Sequence, residues 1–286
     1  MPIAVVTDST AYLPDECVRR YGVRTVALWV SVDGAEPVSE SEFGPAELVS
    51  ALERRSRVTT SGATAEEFAR VYREVLDQGA DGVVSVHLSR QLSRTWDAAR
   101  WAADEVDPDR VRVVDSRSAG MGLGFPVLAA AACAEHAAHP STVEDVAARA
   151  AESTTTLFSV PTLEHLRRGG RIGATAAALG TALSIKPVLH VHEGRIAALE
   201  KVRTAARALS RLREISAQAA GSGPAAVAVH HLGAPEEAER LAARIRADVP
   251  GCEDCVVSQV GAVIGAHIGP GAVGVVVLPG GWESVR

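Results

Sequence analysis

Short apolar runs that end in polar turns recur through the first half of the chain. Ile3–Thr7 is such a run and ends at Asp8–Thr10, which is typical of a buried parallel strand that leads into a loop. Gly82–Leu88 and Val111–Asp115 repeat this pattern, and a segment with helical spacing follows each of them. Because parallel strands are joined by crossover helices, this alternation predicts a parallel sheet with helices on both faces.

Capping residues and apolar spacing predict the helices of this half. Thr64 is followed three residues later by Glu67, the arrangement of a capping box, and apolar residues at helical spacing continue to Gln78. The other elements predicted here are strand Val23–Val32, helix Ser93–Val106, helix Leu123–Ala138 and a helix after Ser141.

The pattern changes after about Ser153. Ile185–Val191 and Arg195–Val202 flank the turn Glu193-Gly194 and predict a β-hairpin. The other predicted elements are strands Thr155–Val160, Ala225–His230, Cys255–Val260 and Val273–Leu278, and helices Leu163–Arg168, Ala174–Leu183, Ala205–Ala220 and Pro235–Asp248. We therefore predict an α/β protein of two domains, residues 1–157 with a parallel sheet and residues 158–286 with a mixed sheet.

Composition excludes several classes of protein. The 286 residues carry a net charge of −6, and the basic residues are dispersed, so the cationic footprint that a duplex-binding protein needs is missing. The four cysteines form no disulfide framework, which favours a reducing compartment. The sequence shows neither a signal peptide nor an apolar run of membrane-spanning length, so we expect a cytoplasmic protein without a membrane segment.

Four polar clusters are predicted at the ends of strands, where open parallel sheets bind ligands. The clusters are Thr7-Asp8-Ser9-Thr10, Thr59-Thr60-Ser61, Ser89 with Ser93 and Thr95, and Asp115-Ser116. Hydroxyl groups at helix N-termini suit a carboxylate or a phosphate, because the hydroxyl donates a hydrogen bond and the helix end is partly positive. The alternative is that these residues only cap helices, so the clusters alone leave both interpretations open.

Two further residues are candidates for anion binding. His267 lies in the glycine-rich stretch Gly265–Gly271, where backbone approaches a ligand closely and an imidazole is a suitable donor. Arg171 follows Gly169-Gly170, a loop that would place a guanidinium beside a phosphate or a partner surface. A turn histidine bonded to local backbone and a solvated arginine are the alternatives.

The sequence gives little support for a catalytic motif or a metal-binding motif. Cys252 and Cys255 have CxxC spacing, but no second CxxC exists, so neither a zinc site nor any other metal site is expected. The acidic residues between them, Glu253 and Asp254, raise the thiol pKa and disfavour redox chemistry. Phosphate loops, nucleophile elbows and paired acid/base carboxylates are absent, so no catalytic residue is assigned.

Several of these segments, in order from end to end, resemble the DegV family of fatty-acid-binding proteins. The matching stretches are Val6-Thr7-Asp8-Ser9-Thr10-Ala11-Tyr12-Leu13-Pro14, Thr59-Thr60-Ser61, Leu88-Ser89 to Leu92-Ser93-Arg94-Thr95, Val114-Asp115-Ser116, Met121-Gly122-Leu123-Gly124, Leu163 to Gly173, Ile185-Lys186-Pro187, Lys201-Val202-Arg203 and Ile264 to Gly271. The resemblance implies a two-domain α/β fold that binds a long-chain fatty acid in the cleft between the domains and needs no cofactor.

The resemblance also implies roles for particular residues. Thr60, Ser61, Ser93 and His267 occupy the positions that hold the fatty-acid carboxylate in that family. Arg203 is implied to face a partner, the catalytic subunit of fatty acid kinase, which would phosphorylate the bound acid to an acyl phosphate. This protein would therefore be a carrier rather than an enzyme. Arg171 is a second candidate for partner docking.

Some positions depart from the family pattern. Arg90 replaces a serine that the family often has, and Arg94 replaces a glycine. We take these two arginines, with Ser9 and Thr10, as secondary candidates for ligand binding. A small-molecule enzyme and a lipid-sensing regulatory module remain alternatives that would use the same anion-binding crevice.

The acyl tail needs a long apolar slot. Ala174–Gly180 supplies small side chains, Ala177 among them, that would leave such space. The alternative is an ordinary, tightly packed helix.

Overall fold

The computed structural model describes residues 3–137, 139–172, 185–249, 251–252 and 255–284. Within these residues the strands are β1 (Ile3–Asp8), β2 (Arg24–Val26), β3 (Trp29–Val32), β4 (Val38–Ser39), β5 (Val58–Ser61), β6 (Gly82–His87), β7 (Val111–Asp115), β8 (Thr155–Ser159), β9 (Lys186–His192), β10 (Arg195–Val202), β11 (Ala225–His231), β12 (Cys255–Gln259) and β13 (Val273–Pro279). The α-helices are α1 (Asp15–Tyr21), α2 (Pro45–Glu53), α3 (Ala65–Asp77), α4 (Thr95–Val106), α5 (Met121–Ala134), α6 (Pro140–Ser153), α7 (Glu164–Arg168), α8 (Ala205–Ala220), α9 (Pro235–Asp248) and α10 (Ala262–Ile268). No helix in these ranges is both long and apolar enough to cross a bilayer.

The chain forms two compact units, and each is assembled from separate stretches. The first unit comprises Met1–Leu28, Ser61–Thr154 and Gly280–Arg286, and the second comprises Trp29–Thr60 and Thr155–Pro279. This division differs from the single boundary at residue 157 that the sequence predicts. The difference arises because residues 29–60 pack against α10, more than 200 positions later in the chain.

Two contacts in the second unit show this packing. The Leu48 side chain lies against Gly265, where a methyl group would collide with it. The backbone N–H of Val263 donates a hydrogen bond of 2.9 Å to the carboxylate of Glu40. Such contacts depend on side chains that are distant in sequence, so a pattern of local periodicity does not reveal them.

The first unit contains the parallel sheet that the βα alternation predicts. Its strands lie in the order β2-β1-β6-β7, and every neighbouring pair is parallel. β6 is buried along its whole length, as expected for a central strand with helices on both faces. The predicted capping box is also present, since Thr64 caps α3 and Glu67 bonds back to the backbone N–H of Thr64.

The second unit contains the predicted mixed sheet, in the order β10-β9-β8-β13-β11-β12. The β9–β10 hairpin is antiparallel, as is the pairing of β13 with β8 and β11, whereas β11 and β12 are parallel. Apolar side chains of β11 and β13, among them Val227, Val229, Val275 and Val277, are buried in a core that α8 and α9 cover.

A further sheet of three strands, β4-β3-β5, was not predicted. The predicted single strand Val23–Val32 is wrong, because the chain leaves the strand conformation at Ala27 and Leu28. The part before this break is β2 of the parallel sheet, and the part after it is β3 of the three-stranded sheet. An apolar run alone cannot show that its two halves pair with different partners.

A buried chain of hydrogen bonds joins β1 to β6 in the first unit. The carboxylate of Asp8 accepts from His87 Nδ1 at 3.0 Å and from the backbone N–H of Leu88 at 3.0 Å. His87 Nε2 lies 2.7 Å from Ser85 Oγ, which accepts the hydroxyl of Tyr72 at 2.8 Å. All four polar side chains are fully buried. This chain satisfies groups that would otherwise be costly to desolvate.

We expect Asp8→Ala to lower the free energy of unfolding by about 3–5 kcal/mol, because it leaves several buried donors without an acceptor. Tyr72→Phe removes one donor from the end of the same chain and is expected to cost about 1 kcal/mol. Urea denaturation measures both changes, with the exposed Asp109→Ala as the control. A loss for Asp8→Ala no larger than that for Tyr72→Phe would contradict the central role of the carboxylate.

Candidate functional site

Three of the four predicted polar clusters lie at one edge of the parallel sheet. β1, β6 and β7 are adjacent and parallel, so the residues that follow them meet at their carboxyl ends. The fourth cluster, Thr59–Ser61, does not follow a strand of this sheet, because these residues are within β5 of the three-stranded sheet. Its predicted place at the carboxyl end of a parallel strand is therefore wrong.

Ser9 and Thr10 are engaged within the protein. The backbone N–H and the hydroxyl of Thr10 both donate to the carboxylate of Asp8, and Thr10 is fully buried. Ser9 is half-buried, and its Oγ accepts from the backbone N–H of Leu28 at 3.1 Å. The hydroxyl proton of Thr10 is thus already donated to Asp8, so this residue stabilises the turn after β1.

Ser93 forms a hydroxyl pair at the start of α4. Its Oγ lies 2.9 Å from Thr95 Oγ1 and also accepts from the backbone N–H of Thr95 at 3.3 Å. Gly62 lies directly against this pair, since a methyl group at Gly62 would come within 2.7 Å of Thr95 Oγ1. The loop after Ser61 therefore reaches the first turn of α4 only because residue 62 has no side chain.

Arg90 and Arg94 lie in the same loop as Ser93, and both are exposed. The guanidinium of Arg90 stacks over the ring of Trp96, with Cζ 4.7 Å from the ring centroid. Arg94 directly precedes α4 and provides no side-chain cap. The aromatic contact orders Arg90 while leaving its N–H groups available to an anion.

Thr60 and His267 form the clearest polar pair of the second unit. Thr60 Oγ1 lies 2.9 Å from His267 Nε2. Thr60 is half-buried and the next residue, Ser61, is exposed, in agreement with the alternation of side chains along a strand. The structure therefore brings Thr60 to His267 and leaves Ser61 on the opposite face of β5.

His267 lies in the last turn of α10, a helix that the sequence analysis does not predict within this glycine-rich stretch. The ring is held by a close approach to Gly169, where a methyl group would collide with Nδ1. The reciprocal contact also exists, because a methyl group at Gly269 would collide with the ring of His165. The glycines that end α7 and α10 thus each accommodate the histidine of the other helix.

The electrostatic surroundings keep His267 neutral. Burial, and then the positive charge of Arg171, lower the pKa of His267 to about 4. Arg171 is itself half-buried, and its guanidinium donates to the carbonyl of Gly169. At neutral pH the imidazole therefore offers one N–H donor and one acceptor nitrogen, without a charge.

Arg203 has a different environment. It is exposed and lies between β10 and Thr204, which caps α8 through its hydroxyl. No ion pair of Arg203 is found in the part of the chain that the structure describes. An exposed guanidinium beside a well-ordered helix start is suited to contact a partner.

The CxxC cysteines are both buried and reduced. A hydrogen bond from the Cys255 thiol to Cys252, followed by burial, raises the pKa of Cys255. Across the described ranges no three histidine, cysteine or acidic side chains are grouped closely enough to bind a metal. Glu253, Asp254 and the predicted slot Ala174–Gly180 with Ala177 lie outside the described residues.

Sequence patterns do not reveal every residue that shapes the two candidate sites. His87 lies in a strand that is otherwise apolar, and Arg117 follows a strand without a motif of its own. The close approaches of Gly169 and Gly269 depend on tertiary packing. A useful signal was present for His87, since a histidine is unusual in a run as apolar as Gly82–Leu88.

Comparison with known proteins finds a family model, a sequence relative and solved structures that are all described as DegV. The model of the DegV family, described as uncharacterised, matches residues 2–280. The chain is 50% identical over 275 residues to the DegV domain-containing protein SCO2569 of Streptomyces coelicolor, which covers 96% of this chain and 98% of that protein. A solved structure described as fatty acid binding of a DegV family protein from Thermus thermophilus has a TM-score of 0.91 at 37% identity, over 98% of this chain and 100% of that one. DegV, a fatty acid binding protein from Bacillus subtilis, has a TM-score of 0.88 at 33% identity, over 97% and 99%.

We expect Arg171→Gln to raise the pKa of His267 above about 4, because it removes the positive charge that disfavours the imidazolium. The value should stay below 6.5, since burial is the larger cause. NMR titration of the imidazole resonances measures the change. Arg168→Gln is the matched control, because Arg168 lowers the pKa of His165 and is not a cause of the shift at His267. Equal shifts of His267 in both variants would contradict this assignment.

Proposed function

Because the chain belongs to the DegV family, we propose that it binds a long-chain fatty acid and presents the carboxylate to a partner kinase. The proposal assigns the carboxylate to the side chains of Thr60, Ser93 and His267, and no longer to that of Ser61, which lies on the opposite face of β5. The protein acts as a carrier, and the kinase supplies the catalytic groups. Relatives of 37% and 33% identity whose structures are described as fatty acid binding support the ligand class.

The observation that carries the proposal is the neutral pair of Thr60 and His267. Their polar atoms are 2.9 Å apart, and the low pKa of His267 leaves the ring uncharged at neutral pH. One proton lies between Thr60 Oγ1 and His267 Nε2, so when Nε2–H donates to the hydroxyl oxygen, the Thr60 hydroxyl can donate to a carboxylate. Neutral donors suit a ligand with a single negative charge, because hydrogen bonds stabilise it without the desolvation cost of a buried ion pair.

The acyl chain supplies the driving force for binding. Burial of about 15 methylene groups at about 0.8 kcal/mol each contributes on the order of 12 kcal/mol before the cost of association. The head group therefore does not need a strong ionic anchor. Its role is to orient the carboxylate, and the few neutral donors of this site are sufficient for that task.

The kinase step then follows from the chemistry of the carboxylate. A carboxylate oxygen forms a bond to the γ-phosphorus of ATP, the bond from that phosphorus to the ADP oxygen breaks, and ADP leaves. The product is an acyl phosphate. In the proposal Arg203 contacts the kinase, which agrees with its exposure at the junction of β10 and α8. Arg171 is half-buried and bonded to Gly169, so we propose that it acts mainly on His267.

Extraction of the purified protein with organic solvent, followed by mass spectrometry, tests ligand binding. We expect close to one fatty acid per chain. The double variant Ser93→Ala with His267→Ala should retain at least about ten-fold less, because two head-group donors are lost. The control is Ser222→Ala with His136→Ala, which changes the same residue types at exposed positions. Unchanged lipid content in the site variant would exclude these two residues from the head-group site, and a wild-type protein that neither carries nor takes up fatty acid would contradict the proposal.

Arg203→Ala tests the partner surface separately. We expect this variant to bind fatty acid like the wild type and to be phosphorylated at least about ten-fold more slowly by a fatty acid kinase, since it loses a charged contact. The readout is acyl phosphate formed per unit time at saturating fatty acid. Arg244→Ala, another exposed arginine without an ion pair among the described residues, is the control. Equal rates for the two variants would exclude Arg203 from docking.

A further inference from the structure

Three exposed arginines lie at the carboxyl edge of the parallel sheet. Arg90 and Arg94 are in the loop between β6 and α4, and Arg117 follows β7. β6 and β7 are neighbouring parallel strands, with His87 paired to Asp115, so these loops leave the sheet side by side. We refer to Arg90, Arg94 and Arg117 as the arginine platform.

A single carboxylate oxygen joins the two loops. Asp115 Oδ1 accepts from the backbone N–H of Arg117 at 2.8 Å and from the backbone N–H of Arg90 at 3.4 Å. This shared acceptor holds the backbones of Arg90 and Arg117 close together. The Asp115 carboxylate thus binds the backbone N–H groups of Arg90 and Arg117, and it forms no ion pair with their guanidinium groups in the described residues.

The backbone at Arg117 is in the left-handed region, with φ 52°. A residue with a long side chain seldom adopts this conformation, which costs about 1 kcal/mol or more. The hydrogen bond from Arg117 to Asp115 and the turn in which Ser118 N–H donates to Ser116 Oγ at 3.2 Å hold it in place. Asn or Gly would fit this turn with less strain, so an arginine here has no advantage for the fold.

The platform carries positive charge that the described residues do not neutralise. Several arginines elsewhere in this unit pair with carboxylates, as in Arg24 with Glu74, Arg73 with Glu105 and Arg100 with Asp104. The three platform guanidiniums have no such ion pair in the described ranges, and Arg90 is ordered only by its stacking on Trp96. The neighbouring acidic side chains are Asp115 and Asp97, which is in the first turn of α4.

We propose that the arginine platform binds the phosphoryl group of an acyl phosphate, an inference that rests on the proposed function. A phosphoryl group has up to two negative charges and three oxygens that accept hydrogen bonds from guanidinium N–H groups. Ser93, a proposed partner of the carboxylate, lies between Arg90 and Arg94 in the same loop. A phosphoryl group added to that carboxylate is therefore formed beside the platform, whereas the carboxylate itself is held by neutral donors.

Two ligands of equal chain length separate these roles. The first is palmitate, and the second is the β-ketophosphonate analogue of palmitoyl phosphate, in which a methylene group replaces the bridging oxygen and prevents hydrolysis. Isothermal titration calorimetry with the delipidated full-length protein measures both affinities. The first variant is Arg117→Asn, because asparagine tolerates the left-handed backbone at this position. The second is the double variant Arg90→Gln with Arg94→Gln. The control is Arg70→Gln, an exposed arginine of α3 without an ion pair among the described residues.

We expect each platform variant to bind the phosphonate at least about ten-fold more weakly and palmitate within about two-fold of the wild type, because only the phosphonate contacts the arginines. A rise in salt from 50 to 300 mM should weaken phosphonate binding more than palmitate binding. Equal losses for both ligands, or no loss for the phosphonate, would overturn the platform while leaving fatty acid binding intact. Failure of the wild type to bind palmitate would instead overturn the proposed function. Circular dichroism of each variant shows whether a loss reflects unfolding.

Discussion

The buried carboxylate of Asp8 joins the two strands on which the carboxyl edge of the parallel sheet depends. It accepts from Thr10 after β1 and from His87 and Leu88 at the end of β6, so it sets where both loops begin. Asp115 repeats this arrangement between β6 and β7, since it binds the backbone of Arg117 and of Arg90. Two carboxylates therefore connect three adjacent loops. Because side chains rather than regular strand pairing position these loops, their geometry is sensitive to single substitutions.

The second unit positions its candidate site by close packing instead. Gly169 and His267, and Gly269 and His165, form two reciprocal contacts between α7 and α10 in which any larger residue would displace a ring. The same packing buries His267 and brings Arg171 near it, and these two causes lower the pKa of the ring. The packing of α7 against α10 thus determines both the position and the protonation state of the His267 imidazole. A substitution that loosens this contact changes both, which is why Arg171→Gln is more informative about charge than a change at Gly169.

Local patterns predicted the elements well and the long-range packing poorly. Helices Ala205–Ala220 and Pro235–Asp248 have the predicted bounds, and Thr64 caps α3 as its spacing indicates. These features depend on residues within a few positions of each other. The two strands within Val23–Val32, and the packing of Leu48 against Gly265, depend on partners far along the chain. The local sequence singles out Thr60, within a polar cluster, and His267 as candidates for anion binding, whereas their assignment to a fatty-acid carboxylate comes from the family resemblance.

The neutrality of the Thr60–His267 pair and the positive charge of the arginine platform suit two different states of one ligand. A cation that contacted the fatty-acid carboxylate would favour the substrate over the product, because the carboxylate charge is lost when its oxygen bonds to phosphorus. A group that contacts the added phosphoryl favours the product instead. In the proposal the exposed arginines on the loop of Ser93 supply that discrimination without tightening the binding of fatty acid. The departures from the family pattern at Arg90 and Arg94 are therefore better explained by the product than by the substrate, and Arg117, on the adjacent loop, extends the same surface.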